Sequence, residues 1–199
     1  MDGLLREIRA MKSQRSRVEI LNRLPRAAVC AEIGVWKGDF SNELLLSTAP
    51  NRLHLIDPWR FRPELPKRWY GGRLAKSQVD MDGIYMSVVG RFKNIPEVVI
   101  HRMASADAAR LFDDEFFDWV YVDGDHSRSA VMADLRTWWP KIKFGGQLVG
   151  DDYRWKDENG FRSVQHAVVE FVQGMKTEVE LVGGTQFIIK KTAEPAACT

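Results

Sequence analysis

Short apolar runs alternate along the chain with segments in which apolar residues recur every three or four positions. Five runs predict buried strands: "AAVCAEIGV", "RLHLID", "EVVIHRM", "FDWVYVDGD" and "GGQLVGDDY". The segments between them predict helices: "DFSNELLLSTA", "GIYMSVVGRF", "ADAARLF" and "RSAVMADLRTWW". Such alternation is typical of an α/β protein whose parallel sheet is covered on both faces, with ligands at the carboxyl ends of the strands.

The two ends of the chain have different patterns. Apolar positions at helical spacing between Leu4 and Leu24 predict an N-terminal helical segment over residues 1–26. After a further helix, "SVQHAVVEFV", the runs "EVELV" and "TQFIIK" flank "GG", which predicts a hairpin with a two-residue glycine turn. We expect one domain over residues 27–192 and a disordered tail over 193–199.

Composition and charge exclude several classes of partner. A net charge of +2, with acidic and basic residues interspersed, gives no reason to expect nucleic acid as a partner. The basic stretches "RAMKSQRSR" and "WRFRPELPKRW" are interpreted as solvated faces. No apolar segment reaches the ~20 residues that span a bilayer, so no membrane association is expected. Two cysteines, one in an apolar run and one in the tail, make no disulfide framework and favour a cytoplasmic location.

The first predicted strand ends in "AEIGVWKGDFS". Gly34 allows a tight turn and close backbone approach, and Gly38 opens the next helix, whose free amides can face a ligand. The G-x-G-x-x-G spacing that seats a dinucleotide pyrophosphate is absent, and Glu32 suits a ligand that carries a cationic amine. The alternative is an ordinary turn, because two glycines after a strand are common by chance.

Asp57 ends the second predicted strand, where an acidic side chain can accept hydrogen bonds from both hydroxyls of a ribose. The alternative is that Asp57 only turns the chain before Pro58. Together with the glycine motif, Asp57 indicates a nucleoside ligand that needs no phosphate.

Acidic residues also follow the fourth and fifth strands, in "VYVDGDHS" and "GDDY". One strand–helix–strand unit brings Asp123 beside Asp151 and Asp152, and a cation most simply relieves the repulsion among three carboxylates. Oxygen ligands favour Mg²⁺. The alternative is that Asp125 caps the helix that begins near Ser127 and that the two later aspartates form a solvated turn.

These motifs resemble the class I S-adenosylmethionine-dependent methyltransferases, in particular the small-molecule O-methyltransferases related to the macrocin and aminocoumarin-sugar enzymes. The resemblance rests on "AEIGVWKGDFS", "LHLIDPW", the block from "WVYVDGDHS" to "GGQLVGDDY" and the closing hairpin. It implies a Rossmann-like, doubly wound α/β fold with a seven-stranded sheet of order 3-2-1-4-5-7-6, the last strand antiparallel, and helices on both faces.

The resemblance also implies roles for individual residues. The cofactor would be S-adenosylmethionine, with the methionine portion at Glu32 and Gly34, the ribose at Asp57, and the adenine edge at Ser105 and Ala106. Three further residues are candidates for cofactor binding: Trp36, Gly38 and Asp123. Asp123, Asp151 and Asp152 would hold Mg²⁺, and Asp125 would be the general base, with His126 as the less favoured alternative.

The expected activity is O-methylation of a hydroxyl on a small molecule, such as a sugar or a vicinal diol. Three alternatives stay open: a catalytically silent cofactor-binding protein, a metal-dependent hydrolase, and a nicotinamide oxidoreductase, which the missing glycine spacing disfavours. The segment after the second strand carries aromatic residues that would form either an acceptor wall or a packing surface, so a homodimer is also left open. These residues are Trp59, Trp69, Tyr70 and Tyr85.

Overall fold

Seven strands form one sheet of order β3-β2-β1-β4-β5-β7-β6 in a computed structural model that describes residues 16–64 and 75–192. The strands are β1 (Val29–Ile33), β2 (Arg52–Asp57), β3 (Val98–Arg102), β4 (Phe117–Val122), β5 (Ile142–Gly150), β6 (Val179–Val182) and β7 (Gln186–Lys190). Strands β1 to β5 pair in parallel, and β7 pairs antiparallel with both β5 and β6. The predicted fold class, strand order and antiparallel last strand are confirmed.

Six helices cover the sheet in the part of the chain that the structure describes. Residues 16–21 form α1, and the others are α2 (Asp39–Thr48), α3 (Gln78–Phe92), α4 (Ser105–Ala109), α5 (Arg128–Trp138) and α6 (Ser163–Met175). Serine side chains cap two of them: Ser77 accepts from the N–H of Asp80 at α3, and Ser127 accepts from the N–H of Ala130 at α5. The N-terminal helix is therefore present over residues 16–21, while residues 1–15 and the predicted disordered tail lie outside the described residues.

The apolar residues form one core layer on each face of the sheet. One layer packs α4, α5 and α6 against the strands and includes Phe117, Leu135 and Phe171. The other packs α1, α2 and α3 against the opposite face and includes Leu44 and Trp119. Because every central strand is buried on both faces, the strands have continuous apolar sequences rather than alternating ones.

The hairpin between β6 and β7 differs in one detail from the prediction. Val182 pairs with Gln186, so the loop has three residues, Gly183, Gly184 and Thr185, rather than two. Gly183 and Gly184 have φ angles of 57° and 87°, which a side chain would strain. The glycine pair was thus a correct signal for a hairpin but not for its length.

No helix among residues 16–64 and 75–192 combines the length and the apolar character needed to cross a membrane. Cys30 is a buried free thiol on β1. Cys198 lies outside the described residues.

Candidate active site

The loop after β1 packs directly against the backbone that follows β4. The N–H of Asp123 donates to the carbonyl of Ile33 at 2.8 Å, and the N–H of Gly34 donates to that of Ile56 at 2.9 Å. A Cβ on Gly34 would lie 2.1 Å from the carbonyl oxygen of Asp123, and Gly34 has a φ of 92°. Glycine is therefore required here both by conformation and by space.

Residues 34–38, which follow β1, are called the glycine loop below. Asp57, at the end of the neighbouring strand β2, binds this loop through its side chain. Its two carboxylate oxygens accept hydrogen bonds from the backbone N–H groups of Trp36, at 3.0 Å, and Trp59, at 2.7 Å. The indole of Trp59 donates to the carbonyl of Trp36 at 2.8 Å, and both tryptophans have positive φ angles of 54° and 43°. Asp57 is 1% exposed, and these two hydrogen bonds fix the loop to the end of β2.

Glu32 and Gly38 lie on either side of Gly34, on β1 and at the start of α2. Glu32 is 2% exposed, and its carboxyl accepts a hydrogen bond from the Ser41 hydroxyl on α2. Burial raises the pKa of Glu32 to about 8, against the lowering effect of the Ser41 hydrogen bond. Gly38 has a φ of 74° at the start of α2, and a Cβ there would lie 2.9 Å from the Phe92 ring. The structure pairs Glu32 with Ser41, and its predicted contact with a ligand amine stays a prediction.

Asp123, His126 and Asp152 form one group at the carboxyl ends of β4 and β5. His126 Nε2 lies 3.4 Å from Asp123 Oδ1 and 3.3 Å from Asp152 Oδ2. One ligand atom from each of the three lies within 4.8 Å of the others, a spacing that can hold a metal ion. Asp152 has a left-handed φ of 58°, and the predicted Asp123–Asp152 pair comes together with His126.

The ionisable side chains of this group shift one another's pKa values. Burial lowers the pKa of His126, but the hydrogen bond and charge of Asp123, together with Asp152 and Asp151, outweigh burial and raise that pKa to about 8. Burial and the charges of Asp123 and Asp151 raise the pKa of Asp152 to about 7. The group therefore binds a proton more readily than isolated carboxylates do, as expected where negative charges are held close together.

Asp151, the third predicted metal ligand, lies beside this group but is not one of its three members. It is buried, its Oδ1 accepts from the N–H of Asp152 at 2.7 Å, and its Oδ2 lies 3.9 Å from Arg17 Nε. Burial and the charge of Asp123 raise the pKa of Asp151. The described geometry thus groups His126 with Asp123 and Asp152, and the metal role of Asp151 stays a prediction.

Asp125 forms the turn that leads into α5. Its Oδ1 accepts from the N–H of Ser127 at 2.8 Å, in a turn that precedes the helix, while Ser127 rather than Asp125 caps α5. Its Oδ2 lies 3.9 Å from Arg62 Nη1, and the side chain remains 20% exposed. One carboxylate oxygen therefore has a structural partner while the other faces a cation at the open side of the site.

Ser105 and Ala106 occupy the first turn of α4, after β3. The Ser105 hydroxyl donates to Asp134 Oδ1 at 2.5 Å and accepts from the indole N–H of Trp138 at 2.8 Å. Burial raises the pKa of Asp134 to about 6, against the hydrogen bond from Ser105. The hydroxyl of Ser105 is thus turned toward α5, while Ala106 is exposed. The adenine contacts implied for Ser105 and Ala106 stay predictions.

Two arginines lie near the aspartates at the carboxyl ends of β4 and β5, which are called the acidic edge below. Both come from stretches that were interpreted as solvated faces. Arg17, the last residue of "RAMKSQRSR", lies beside Asp151, and Arg62, in "WRFRPELPKRW", lies beside Asp125. Arg62 is exposed, as a solvated face predicts, whereas Arg17 is half-buried because the fold packs α1 against this edge of the sheet. Their sequence neighbours carry no signal that separates them from surface arginines.

The aromatic residues after β2 divide into two groups. Trp59 is fully buried and packs its ring 5.1 Å from that of Tyr85, so it belongs to the core rather than to an acceptor wall. Trp69 and Tyr70 lie outside the described residues. After β5, Trp155 packs 5.2 Å from His126 and borders the acidic group.

Comparison with known proteins agrees with this geometry. A family model described as a methyltransferase domain matches residues 31–153. The comparison with curated proteins gives no match.

Solved structures share the fold at low sequence identity. The O-methyltransferase NovP is 17% identical, with a TM-score of 0.60 over 92% of this chain and 79% of that one. A protein from Methanococcus maripaludis, assigned as an S-adenosylmethionine-dependent methyltransferase, is 16% identical, with a TM-score of 0.60 over 92% and 87% of the two chains. A protein from Staphylococcus aureus, assigned as a caffeoyl-CoA O-methyltransferase, is 13% identical, with a TM-score of 0.59 over 91% and 83%. The chain therefore belongs to the methyltransferase-domain family and has the fold of the S-adenosylmethionine-dependent methyltransferases.

Proposed function

We propose that this protein transfers the methyl group of S-adenosylmethionine to a hydroxyl oxygen of a small molecule, with the help of a divalent cation. The observation that carries the proposal is the meeting of two features at one edge of the sheet. The glycine loop closes against the backbone of Asp123, and the side chain of Asp123 joins His126 and Asp152 in one group. A nucleoside site and a cation site would thus share a boundary.

The residues around the glycine loop fit a nucleoside with a methionine tail. Asp57 places a carboxylate at the end of β2, where an acidic side chain can accept hydrogen bonds from ribose hydroxyls, and the positive φ of Gly34 lets the loop turn sharply after β1. Asp123 follows the adjacent strand β4, and its backbone contacts Gly34. No group here resembles the pyrophosphate cradle of a dinucleotide site, because the loop lacks the required glycine spacing.

Asp123, His126 and Asp152 fit a divalent cation by donor type and by spacing. Two carboxylates with one imidazole suit Mn²⁺ or Zn²⁺ as well as Mg²⁺, because nitrogen donors favour transition metals. When bound, such a cation would make an acceptor hydroxyl more acidic and fix its position. The predicted Mg²⁺ is thus one of several divalent cations that this donor set can hold.

The protein's own contribution to the chemistry would be alignment and proton removal. The methyl group of a sulfonium is already activated, so the acceptor oxygen must chiefly be held in line with it. Asp125 has one oxygen free of hydrogen bonds from the α5 turn, and we assign to it the removal of the hydroxyl proton. His126 is the alternative base, since it lies at the same edge.

The test is methyl transfer from radiolabelled S-adenosylmethionine to a panel of sugars, catechols and other vicinal diols. The protein is first treated with a chelator and then supplied with Mg²⁺, Mn²⁺ or no metal. We expect transfer to a hydroxyl that is lost after chelation and restored by one of the cations. Full activity in metal-free protein would refute the cation's role, and transfer to nitrogen or carbon acceptors alone would refute O-methylation.

A further inference from the structure

Arg17 projects from α1 to the acidic edge of the sheet. Its guanidinium carbon lies 5.0 Å from the centroid of the Phe40 ring, which in turn packs 4.5 Å from the ring of Tyr121 on β4. Arg17 Nε lies 3.9 Å from Asp151 Oδ2. The side chain is 31% exposed, so the positive charge is partly buried at the boundary of the proposed cofactor site.

The guanidinium lacks the hydrogen bonds that its position would normally require. Arg17 makes no side-chain hydrogen bond to any residue in 16–64 or 75–192, and its Nε is buried without a partner. Arginine has five N–H donors, and buried donors are usually paired. Arg62, the other arginine at this edge, instead donates to Glu64 at 2.7 Å.

The helix that carries Arg17 is fixed in place. The hydroxyls of Ser16 and Thr185 lie 2.8 Å apart in a hydrogen bond, and Arg23 donates to Glu180 at 2.8 Å. Gly183 packs so closely that a Cβ there would lie 2.6 Å from Ser16 Cα. The guanidinium is therefore held against the sheet edge before any ligand binds, which reduces the entropy lost on binding.

The amino-acid end of S-adenosylmethionine carries a carboxylate as well as an ammonium group. The predicted cofactor residues at this edge include two aspartates, Asp57 and Asp123, which would repel that carboxylate when ionised. Arg17 interacts electrostatically with both Glu32 and Asp123. Its guanidinium is therefore near the residues predicted to bind the methionine portion of the cofactor. A planar guanidinium with unused donors is the side chain best suited to a carboxylate.

We propose that Arg17 binds the α-carboxylate of the methionine portion of S-adenosylmethionine. This inference rests on the proposed function, since it assumes that the glycine loop receives this cofactor. It gives the cofactor's two charged groups opposite partners, with acids near the ammonium and Arg17 at the carboxylate. It also explains why a guanidinium is held at this edge with only a 3.9 Å ion pair to Asp151.

The experiment compares two ligands that differ only in the carboxylate. S-Adenosylhomocysteine and its decarboxylated counterpart, S-adenosyl-3-thiopropylamine, are titrated calorimetrically into the wild-type protein and into Arg17→Gln. We expect the variant to bind S-adenosylhomocysteine about 10- to 100-fold more weakly, as for a lost charge-assisted contact, and the amine with unchanged affinity. Unchanged amine affinity also shows that the variant is folded.

Arg26→Gln is the control, because it removes the same charge from an exposed position before β1, where Arg26 donates to the carbonyl of Ser47. It should bind both ligands as the wild type does. Equal weakening of both ligands by Arg17→Gln, or no weakening of either, would overturn the inference. The inference would also be overturned if Arg17→Gln changed the affinity for Mn²⁺ but not for either nucleoside, because Arg17 would then act only on the aspartates. If the wild-type protein binds neither nucleoside, the proposed function itself fails.

Discussion

Gly34 and Asp123 approach each other so closely that a Cβ on residue 34 would lie 2.1 Å from the Asp123 carbonyl oxygen. The contact joins the end of β1 to the end of β4, where the proposed cofactor and cation sites meet. The main chain at Asp123 can therefore pack here only because residue 34 is glycine.

Gly34→Ala is expected to lower the free energy of unfolding by more than about 2 kcal/mol, because it combines a steric overlap with a left-handed φ. Urea denaturation measures the change. Gly83→Ala is the matched control: Gly83 lies on α3 with no neighbour within 4 Å of an added Cβ, so alanine should stabilise by roughly 0.5–1 kcal/mol. A Gly34→Ala protein as stable as the wild type would refute the close packing.

Asp125→Asn separates the two roles of Asp125. The amide oxygen of asparagine can still accept from the N–H of Ser127, so the turn and the stability should be kept. Loss of the carboxylate should lower kcat by about 10²- to 10⁴-fold if this group takes the proton. Steady-state methyl-transfer kinetics measure the change.

Asp157→Asn is the control for Asp125→Asn, because Asp157 also accepts backbone N–H groups, those of Asn159 and Phe161. It should leave kcat unchanged. If Asp125→Asn also retains full activity, Asp125 only forms the turn, and His126 becomes the candidate base.

Ser105→Ala tests whether the Ser105 hydroxyl serves the fold or the cofactor. The change removes the donor to Asp134 and the acceptor for the Trp138 indole, so we expect a loss of about 1–3 kcal/mol of stability with unchanged affinity for S-adenosylhomocysteine. Ser129→Ala, at an exposed position of α5, should change stability by less than about 0.5 kcal/mol. Weaker ligand binding without loss of stability would instead assign the hydroxyl to the adenine edge.

The His54–His101 pair predicts how stability depends on pH. Nδ1 of His54 lies 2.9 Å from Nε2 of His101, and burial, with the charges of His101 and Arg52, lowers the pKa of His54 to about 4. Because this pKa lies below the unfolded value of about 6.5, the unfolded chain binds the proton more readily, and stability is lost as pH falls from 6.5 toward 4.

His54→Phe should therefore flatten the pH dependence of stability. The two histidines pack against phenylalanine rings, and the ring centroids of His54 and Phe112 lie 4.9 Å apart. A phenylalanine ring at position 54 is therefore compatible with its surroundings. Between pH 7.5 and pH 5 the wild type should lose roughly 2 kcal/mol more than the variant, measured by urea denaturation at both pH values. Equal losses in the two proteins would contradict this account.

The strands and their order could be predicted from the sequence because each buried strand is a continuous apolar run and the family resemblance supplies the order. The same pattern brought Asp123 and Asp152 to one edge of the sheet, since adjacent parallel strands end together. The grouping of His126 in place of Asp151 could not be predicted, because it depends on local backbone geometry such as the left-handed φ at Asp152.

The two arginines at the site could not be predicted for a different reason. Arg17 and Arg62 reach the edge through tertiary placement of α1 and of the segment after β2, and neither helical spacing nor strand alternation encodes that placement. Ser105 shows a third limit. The sequence places it correctly at the end of β3, but only the packing of α5 determines that its hydroxyl turns toward Asp134.

Calorimetric titration of the wild-type protein with S-adenosylhomocysteine, beside NAD as a comparison, tests the central claim most directly. We predict one site per chain for S-adenosylhomocysteine and no binding of NAD, because the loop after β1 fits a nucleoside without a pyrophosphate. Binding of NAD without S-adenosylhomocysteine, or of neither ligand, would contradict the account.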